Sequence, residues 1–286
     1  MNSFKNKIAV ITGGTDGIGA ATALELCRLG AKVFILGRSQ AKADAIIEKA
    51  TNLTGTIEVI ISDFSLMKNA KQTANLIAEK IDKIDILIHG VGILISRTEH
   101  STEGIEKDFA IGYLSRFVFT EELFKKGLLH SETKMINIAA SSPKIPKYFQ
   151  MEFNDLQKVE ARVGMTSHGQ AQLANDLYTA IASNRYGITA IGYGPGSVNT
   201  SIRREVPKWL QMIMKPFFKT RKPEDVAKQF IDILLDKTLE NKHSYYFNKD
   251  GMFEIAPFIA NTKRQTELLE TAIVLSDKAL NNKTKI

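Results

Sequence analysis

The chain alternates between short apolar runs rich in β-branched residues and longer segments in which apolar residues recur at helical spacing. The runs predict buried strands, and the longer segments predict helices that lay one apolar face on a sheet. Alternation of this kind is typical of an α/β fold, with one doubly wound parallel sheet and helices on both faces. The predicted strands are 7–11, 32–36, 57–61, 84–88, 134–139 and 188–193, and the predicted helices are 18–29, 66–81, 102–126 and 167–184.

The length of 286 residues and a hydrophobic fraction of 44% suffice for one large core. We expect a single domain over residues 1–250, followed by a helical extension over 251–286. Within that extension, Leu268, Leu269, Ile273, Leu275 and Leu280 alternate with charged residues and predict an amphipathic helix over 262–280. This helix could pack on the domain, contact a partner or lengthen a substrate lid.

The net charge of +7 and the pI near 9.3 are spread over the whole sequence, so a nucleic-acid partner is not expected. The first seven residues lack the apolar core of a signal peptide, and no run approaches the roughly 20 apolar residues of a membrane span. We therefore expect a cytoplasmic protein. The single cysteine, Cys27, is expected to fill the core, and no residue cluster has metal-ligand spacing.

A glycine-rich segment, Thr-Gly-Gly-Thr-Asp-Gly-Ile-Gly at residues 12–19, joins the first predicted strand to the first predicted helix. Gly13, Gly17 and Gly19 would let the backbone approach a pyrophosphate, while the helix start directs free N–H groups at it. The segment predicts a dinucleotide site.

The second predicted strand ends in Gly37 and Arg38. A site for NAD usually has a carboxylate about 20 residues past the loop, on the ribose 2′-hydroxyl. Gly37 cannot supply one, whereas Arg38 offers a planar charged donor to a 2′-phosphate, which favours NADP(H). Alternatively, Arg38 is a solvated loop cation. Asp16, inside the loop, could repel the same phosphate.

From residue 7 to about residue 247 the chain resembles the short-chain dehydrogenases/reductases, which have a Rossmann fold, and within them the retinol dehydrogenase and WW-domain oxidoreductase branch. The loop at 12–19, Asp63-Phe64, Pro195–Thr200, the insert at 153–157 and the segment at 172–175 carry this resemblance. The resemblance implies an NADP(H) site formed by Gly13, Thr15, Asp16, Gly17, Ile18, Gly19, Arg38, Asp63, Phe64, Gly90, Gln172, Pro195, Gly196, Val198 and Thr200.

The departures from this family fall on its active centre. His89-Gly-Val-Gly92 replaces Asn-Asn-Ala-Gly, and Gly112 stands in place of the helical Asn that organises a proton-relay water. The catalytic Ser aligns with Ala140, although Ser141 follows directly. His168 and Gln172 replace the catalytic Tyr and Lys.

His168 is the natural substitute for the missing Tyr, because an imidazole exchanges protons near neutral pH. Otherwise it is a polar residue lining a vacated pocket. Gln172, four residues later, can hydrogen-bond a ribose hydroxyl but supplies no charge. Ser141 could donate to a substrate oxygen if a bulge turns it inward.

Two other candidates are expected to be structural. Tyr245 and Lys249 have Tyr-x-x-x-Lys spacing, but they fall where the family has its last strand and a turn. His89 follows the fourth predicted strand, at the sheet edge where α/β proteins bind ligands, and a structural role is still favoured.

The resemblance implies a substrate lid over residues 201–222. Its apolar residues favour a lipophilic substrate, and the cations among residues 203–222 could also contact an anionic membrane surface. The oligomeric state stays open.

Three functions stay open at this point. The leading one is an atypical NADP(H)-dependent oxidoreductase of a lipophilic carbonyl or alcohol. The second is a non-redox enzyme, such as an isomerase, dehydratase or cyclase, with proton transfer by His168 and His89. The third is a catalytically silent NADP(H)-binding protein.

Overall fold

The strands of the protein follow the apolar runs of its sequence closely. The structure is a computed structural model that describes residues 3–94, 99–144, 151–156, 164–200 and 220–281. Its strands are β1 (Ile8–Thr12), β2 (Lys32–Gly37), β3 (Thr56–Ile61), β4 (Ile84–His89), β5 (Leu129–Ile138), β6 (Thr189–Gly194), β7 (Ser244–Asn248) and β8 (Gly251–Met252).

The helices cover the sheet between successive strands. They are α1 (Gly17–Arg28), α2 (Gln40–Ala50), α3 (Met67–Ala78), α4 (Lys107–Phe109), α5 (Ser115–Lys125), α6 (Gly164–Tyr186), α7 (Pro223–Leu235), α8 (Pro257–Ala260) and α9 (Thr262–Asn281). A π turn (Ala110–Leu114) joins α4 to α5, and a 3₁₀ turn (Phe153–Asp155) precedes α6.

The eight strands form one sheet in the order β3-β2-β1-β4-β5-β6-β7-β8. Strands β1 to β7 pair in parallel, as predicted, whereas the two-residue strand β8 pairs antiparallel with β7. The strand order reverses between β1 and β4, which is where open α/β sheets form their binding crevice.

Side chains of alternate strand residues supply two cores, one on each face of the sheet. Val10 belongs to the core under α3, α5, α6 and α9, whereas its neighbours Ala9 and Ile11 belong to the core under α1, α2 and α7. Cys27 is fully buried in the second core, as the sequence predicted. The predicted α/β fold with helices on both faces is therefore confirmed.

Two boundaries differ from the predictions by five residues each, more than any of the others. The helix predicted from residue 102 begins at Lys107, because the residues before it form a turn and the Glu106 carboxylate caps the helix by accepting the N–H groups of Asp108 and Phe109 at 3.1 and 2.7 Å. Strand β5 begins at Leu129, five residues before the predicted start at 134.

The predicted lid at 201–222 lies outside the described residues except for its last three, and so does most of the predicted membrane-contacting segment 203–222. Among the residues that are described, we find no helix with the length and hydrophobicity needed to cross a membrane.

The tail helix α9 packs on the domain, one of the arrangements that the sequence left open. Its residues Leu268, Ala272, Leu275 and Ala279 are buried in the same core as residues of α3 and α6. The opposite face is exposed, with Val274 at 65% accessibility. The tail therefore supports the face of the sheet that also carries α6.

Truncation of the buried face of α9 tests this packing. Leu268→Ala should lower the free energy of unfolding by about 2–5 kcal/mol, because it removes a fully buried side chain and leaves a cavity. Val274→Ala, on the exposed face of the same helix, should change it by about 0.5 kcal/mol or less. Urea denaturation measures both, and equal losses would contradict the packing.

Candidate functional site

A cavity of about 480 Å³ opens at the carboxyl ends of the strands, at the reversal of strand order between β1 and β4. The structure brings all the predicted cofactor residues to its wall except Gln172. Those lining it are Gly13, Thr15, Asp16, Gly17, Ile18, Gly19, Arg38, Asp63, Phe64, Gly90, Pro195, Gly196, Val198 and Thr200. The sequence also missed several lining residues, of which Ser39, Lys42, Ile93 and Ile111 matter below.

The glycine loop packs so closely that side chains are excluded from it. Gly13 has a φ of +72°, and a Cβ there would lie 2.8 Å from the carbonyl carbon of Gly90. A Cβ on Gly19 would lie 2.3 Å from the carbonyl oxygen of Gly13. The start of α1 therefore stands directly on the loop, and its N–H groups face the cavity at the position that suits a pyrophosphate.

Gly37, at the end of β2, has no room for any side chain. A Cβ there would lie 2.3 Å from the hydroxyl oxygen of Thr15. The carboxylate that an NAD site places at this point is thus excluded by geometry as well as absent from the sequence. The side chain of Arg38, the next residue, is exposed at the cavity.

The Asp16 carboxylate is paired, which answers the concern that it repels a phosphate. It accepts the Gly17 N–H at 2.7 Å as the cap of α1, and it forms a salt bridge with the Lys42 ammonium. Lys42 lies in the first turn of α2, whose cap is Ser39. The sequence contained one indication of Lys42. It stands four positions after Arg38, a spacing of about one helical turn, which can bring the two side chains to the same side.

Phe64 closes the cavity at the end of β3. Its ring is buried and meets the Phe119 ring edge to face, at a centroid distance of 5.3 Å. The Asp63 carboxylate accepts the Ser65 N–H at 2.9 Å, which fixes the turn after β3. These two residues form a preformed wall where the resemblance places the adenine.

The inner end of the cavity is apolar. Ile93 and Ile111 are buried against each other with Val91 beside them, and Ile138 completes this part of the lining. A hydrophobic group is therefore accommodated here at the least desolvation cost.

Directly behind this apolar wall lies Arg116, which is 2% exposed. Its guanidinium donates to the carbonyl oxygens of Val91 and Ile138, each at 2.7 Å, and to the side-chain oxygen of Asn137. Burial lowers the pKa of Arg116 to about 9, so it stays charged at neutral pH. This cation joins the end of β5 to the loop after β4.

His168 faces a carboxylate that sequence reasoning missed. The Nδ1 atom of His168 lies 3.3 Å from each oxygen of Asp108, on α4. Burial raises the pKa of Asp108, while His168 and Arg116 oppose that rise. Burial also raises the pKa of the adjacent Glu106 to about 7. The site thus pairs an imidazole with a buried carboxylate from another helix.

Ser141 is not among the residues that line the cavity, and its hydroxyl is bonded elsewhere. It donates to the carboxylate of Asp176, which is buried on α6. A Cβ on Gly194 would lie 2.1 Å from the Ser141 carbonyl oxygen, so β6 holds this segment in place. A donor role for Ser141 towards substrate would require its bond to Asp176 to be exchanged.

His89 is fully buried and contacts α5. Its Nε2 lies 2.9 Å from the hydroxyl of Thr120, which itself donates to the Arg116 carbonyl oxygen at 2.8 Å. Burial, followed by the charge of Arg116, lowers the pKa of His89 well below its usual value. It is therefore a neutral core residue, in keeping with the structural role that we favoured.

Gln172 is half-buried on α6, one turn after His168, and it does not line the cavity formed by the described residues. Its predicted contact with a ribose stays a prediction. Tyr245 and Lys249 lie apart from the site, because the Tyr245 hydroxyl accepts the Glu240 N–H at 2.8 Å and Lys249 pairs with Asp250.

Backbone hydrogen bonds join the Pro195–Thr200 segment to Arg221, which lies just after the undescribed residues 201–219. Asn199 donates to the Arg221 carbonyl oxygen at 3.0 Å, and the Arg221 N–H donates to Ser197 at 2.9 Å. The Arg221 guanidinium in turn bonds Tyr193 and Gln229. The described residues on the two sides of the 201–219 stretch are thus bonded to each other.

These features fit a dinucleotide. The glycine loop offers N–H groups to a pyrophosphate, and the lining of the cavity also includes the two cations Arg38 and Lys42 and an apolar cluster. Within the part of the chain that the structure describes, no cluster of residues could hold a metal ion.

Comparisons with known proteins agree with this geometry. The sequence profile of the short chain dehydrogenase family matches residues 7–152. Retinol dehydrogenase 12 of Mus musculus is 28% identical over 249 residues, covering 85% of this chain and 77% of that protein. Polyprenol dehydrogenase of Homo sapiens is 25% identical over 279 residues, covering 92% and 83%.

Solved structures share the fold. The crystal structure of an uncharacterised protein from Mycobacterium paratuberculosis superposes with a TM-score of 0.73 at 19% identity, covering 96% of this chain and 95% of that one. A short chain dehydrogenase from Shigella flexneri, solved in complex with NADP, gives a TM-score of 0.65 at 18% identity, covering 86% and 98%.

The buried Asp176 provides a test of the geometry around Ser141. Burial raises the pKa of Asp176 to about 7, so the folded state retains a proton that the unfolded chain releases above about pH 4. The stability that Asp176 contributes is therefore complete at acid pH and is lost as the pH rises to about 7.

Asp176→Asn should remove this loss. We expect the variant to match the wild type near pH 4.5 and to exceed it by roughly 2–4 kcal/mol at pH 8 in urea denaturation. Asp232→Asn, at an exposed position on α7, should show no such divergence. A constant difference between Asp176→Asn and wild type across this pH range would contradict the burial of a titrating carboxyl.

Proposed function

The chain belongs to the short-chain dehydrogenase family, and we propose that it is an NADP(H)-dependent oxidoreductase that interconverts a lipophilic carbonyl compound and its alcohol. The observation that carries this proposal is the cation pair Arg38 and Lys42 at a cleft where Gly37 cannot be replaced by an acidic residue. A 2′-phosphate distinguishes NADP from NAD, and charge-assisted hydrogen bonds are the strong ones.

Lys42 contributes to the proposed phosphate site by pairing with Asp16, which Arg38 does not do. In the absence of ligand its ammonium neutralises Asp16. A 2′-phosphate carries more charge than a carboxylate and accepts several hydrogen bonds, so it competes well for the same ammonium. The related Shigella flexneri enzyme was solved with NADP, which supports the choice without deciding it.

The proposed substrate class rests on two supports. The inner end of the cavity is lined by Val91, Ile93, Ile111 and Ile138, which favours an apolar group. Two relatives are named for retinol and polyprenol, and both names denote lipophilic alcohols. We extend that class, and neither individual substrate, to this chain.

The residues of the chain divide the work as follows. The loop of Gly13, Gly17 and Gly19 would hold the pyrophosphate, and the bound dinucleotide would supply or accept the hydride. Reduction of a carbonyl also requires a proton at its oxygen. We assign that proton to the His168 imidazolium, which becomes neutral imidazole as it donates, and oxidation of the alcohol reverses the transfer. Gln172 would orient a ribose hydroxyl.

A second candidate function has one observation in its favour. Neither His168 nor Gln172 lines the cavity formed by the described residues. A protein that binds NADP(H) without turning it over would have this arrangement, with an intact nucleotide cleft and no proton donor at its wall. The two candidates share the cofactor and differ only in turnover.

Cofactor preference is tested by equilibrium titration of the purified protein with NADPH and with NADH. We expect tighter binding of NADPH, and we expect Arg38→Ala or Lys42→Met to weaken it by about 10-fold or more, since each loses a charge-assisted bond worth roughly 1.5–3 kcal/mol. NADH affinity should change less than about two-fold in both variants.

The matched control is Lys228→Ala, which removes an exposed cation on α7 away from the cavity. It should leave both affinities unchanged. Wild-type preference for NADH, or unchanged NADPH binding in both cation variants, would show the cofactor assignment to be wrong.

Turnover is tested by following NADPH absorbance with a panel of aliphatic and polyene aldehydes and ketones. We expect His168→Ala to lower kcat by about 10²- to 10⁴-fold, the usual range for general acid–base catalysis. His243→Ala, at an exposed position, serves as the control. Tight NADPH binding with no oxidation by any aldehyde or ketone would favour the silent alternative.

A further inference from the structure

The two side chains of the Asp108–His168 pair differ in their exposure to solvent. The Asp108 side chain is 1% exposed and the His168 side chain is 16% exposed. Only Nδ1 of the imidazole faces the carboxylate, at 3.3 Å from both oxygens. Because the two ring nitrogens point to opposite sides, Nε2 faces away from Asp108.

This contact dictates the tautomer of a neutral imidazole. An ionised carboxylate can only accept hydrogen bonds, so the ring nitrogen beside it carries the hydrogen. Nε2 then carries the lone pair and can take up a proton, and in the imidazolium it is the nitrogen with a proton to give. The Asp108 carboxylate therefore leaves Nε2 of His168 as the ring nitrogen that can exchange a proton.

Asp108 is held rigidly at the start of its helix. Its backbone N–H donates to the Glu106 carboxylate at 3.1 Å, within the cap of α4. Burial raises the pKa of Asp108, and the hydrogen bond and charge of His168, followed by the charge of Arg116, oppose that rise and favour the ionised form. Glu106 thus fixes the backbone of Asp108, whereas His168 and Arg116 stabilise its carboxylate.

The space for this pair depends on the absence of a side chain at Gly112. A Cβ at Gly112 would lie 3.2 Å from the Ala171 Cβ and 3.4 Å from an Asp108 oxygen, so a longer side chain there would occupy the gap between the π turn and α6. The carbonyl oxygen of Gly112 accepts a hydrogen bond from the Asn175 side chain at 2.7 Å, which joins the π turn to α6.

From this geometry we propose that Asp108 is the positioning residue of His168, holding it in the Nδ1–H form so that Nε2 exchanges the proton with the substrate oxygen. The assignment rests on the proposed carbonyl–alcohol function. In reduction the O–H bond of the product forms as the Nε2–H bond breaks, and the proton comes from solvent through the recharged imidazole. Asp108 itself transfers no proton.

The test combines the tautomer of His168 with kinetics of the full chain. ¹⁵N NMR of the ring nitrogens, assigned by comparison with His168→Gln, should report the Nδ1–H form for the neutral imidazole of the wild type. In Asp108→Asn the amide can either accept from or donate to Nδ1, so Nδ1–H is no longer enforced and the fraction of the Nε2–H form should rise. We expect kcat to fall by about 10²- to 10⁴-fold, as when a general base is lost.

A purely structural role of Asp108 would not give this combination. KM and the NADPH dissociation constant should change less than about three-fold in Asp108→Asn, and Asp232→Asn should leave kcat and the tautomer as in the wild type. Gly112→Asn provides a second route, since its side chain should displace the carboxylate and cause the same loss of the Nδ1–H form.

Failure of this assignment differs from failure of the proposed function. An Nε2–H form in the wild type, or an active wild type whose kcat survives Asp108→Asn, overturns the positioning role while the oxidoreductase function stands. A wild type in the Nδ1–H form that changes as expected, yet oxidises no NADPH with any substrate, supports the positioning role and overturns the redox function. The wild-type spectrum decides the first point even if Asp108→Asn does not fold.

Discussion

The buried guanidinium of Arg116 is the interaction on which the site depends. It donates hydrogen bonds to three oxygen atoms at the ends of two neighbouring strands. These are the carbonyl oxygens of Val91 and Ile138 and the side-chain oxygen of Asn137. Asn137 then donates to the Asn175 carbonyl oxygen on α6 at 2.9 Å. One cation therefore fixes the apolar wall of the cavity, the sheet edge behind it and the helix that carries His168. A buried charge is tolerated only when it is well paired. Here three of the five N–H donors bond to oxygen atoms, while Nε finds no partner among the described residues.

Two charged side chains in or beside the site are each paired with a side chain on another helix or loop. In the lining of the cavity, Lys42 of α2 balances Asp16 of the glycine loop. Outside the residues that line the cavity, Asp108 of α4 faces His168 of α6, and the charge of Arg116 acts on Asp108. The two pairs differ in the free energy needed to break them. The exposed Lys42–Asp16 pair contributes little stability, so Lys42 can bind a phosphate instead, whereas breaking the buried Asp108–His168 pair is costly.

The sequence predicted the fold well because its apolar runs and its glycine loop are local signals. The start of α4 was misplaced by five residues, since the capping carboxylate of Glu106 overrides the helical pattern before it. Most residues that the sequence assigned to a cofactor site line the cavity. The carboxylate partners of His168 and Ser141 were missed, because Asp108 and His168 are 60 residues apart and Ser141 and Asp176 are 35 apart. Such pairings depend on how helices dock, and no local periodicity reports that.

The losses relative to the family's usual residues form a consistent set in space. Gly112 leaves open the gap that Asp108 and His168 share, so the replaced Asn and the replaced Tyr occupy one connected volume. A protein that had simply lost catalysis would gain stability by making this volume apolar, because burying Asp108 and Glu106 carries a desolvation cost that raises the pKa of both carboxyl groups. Proteins keep local costs of this kind mainly at functional sites. Under the proposed oxidoreductase function, the arrangement is therefore that of an active centre built around an imidazole and a carboxylate.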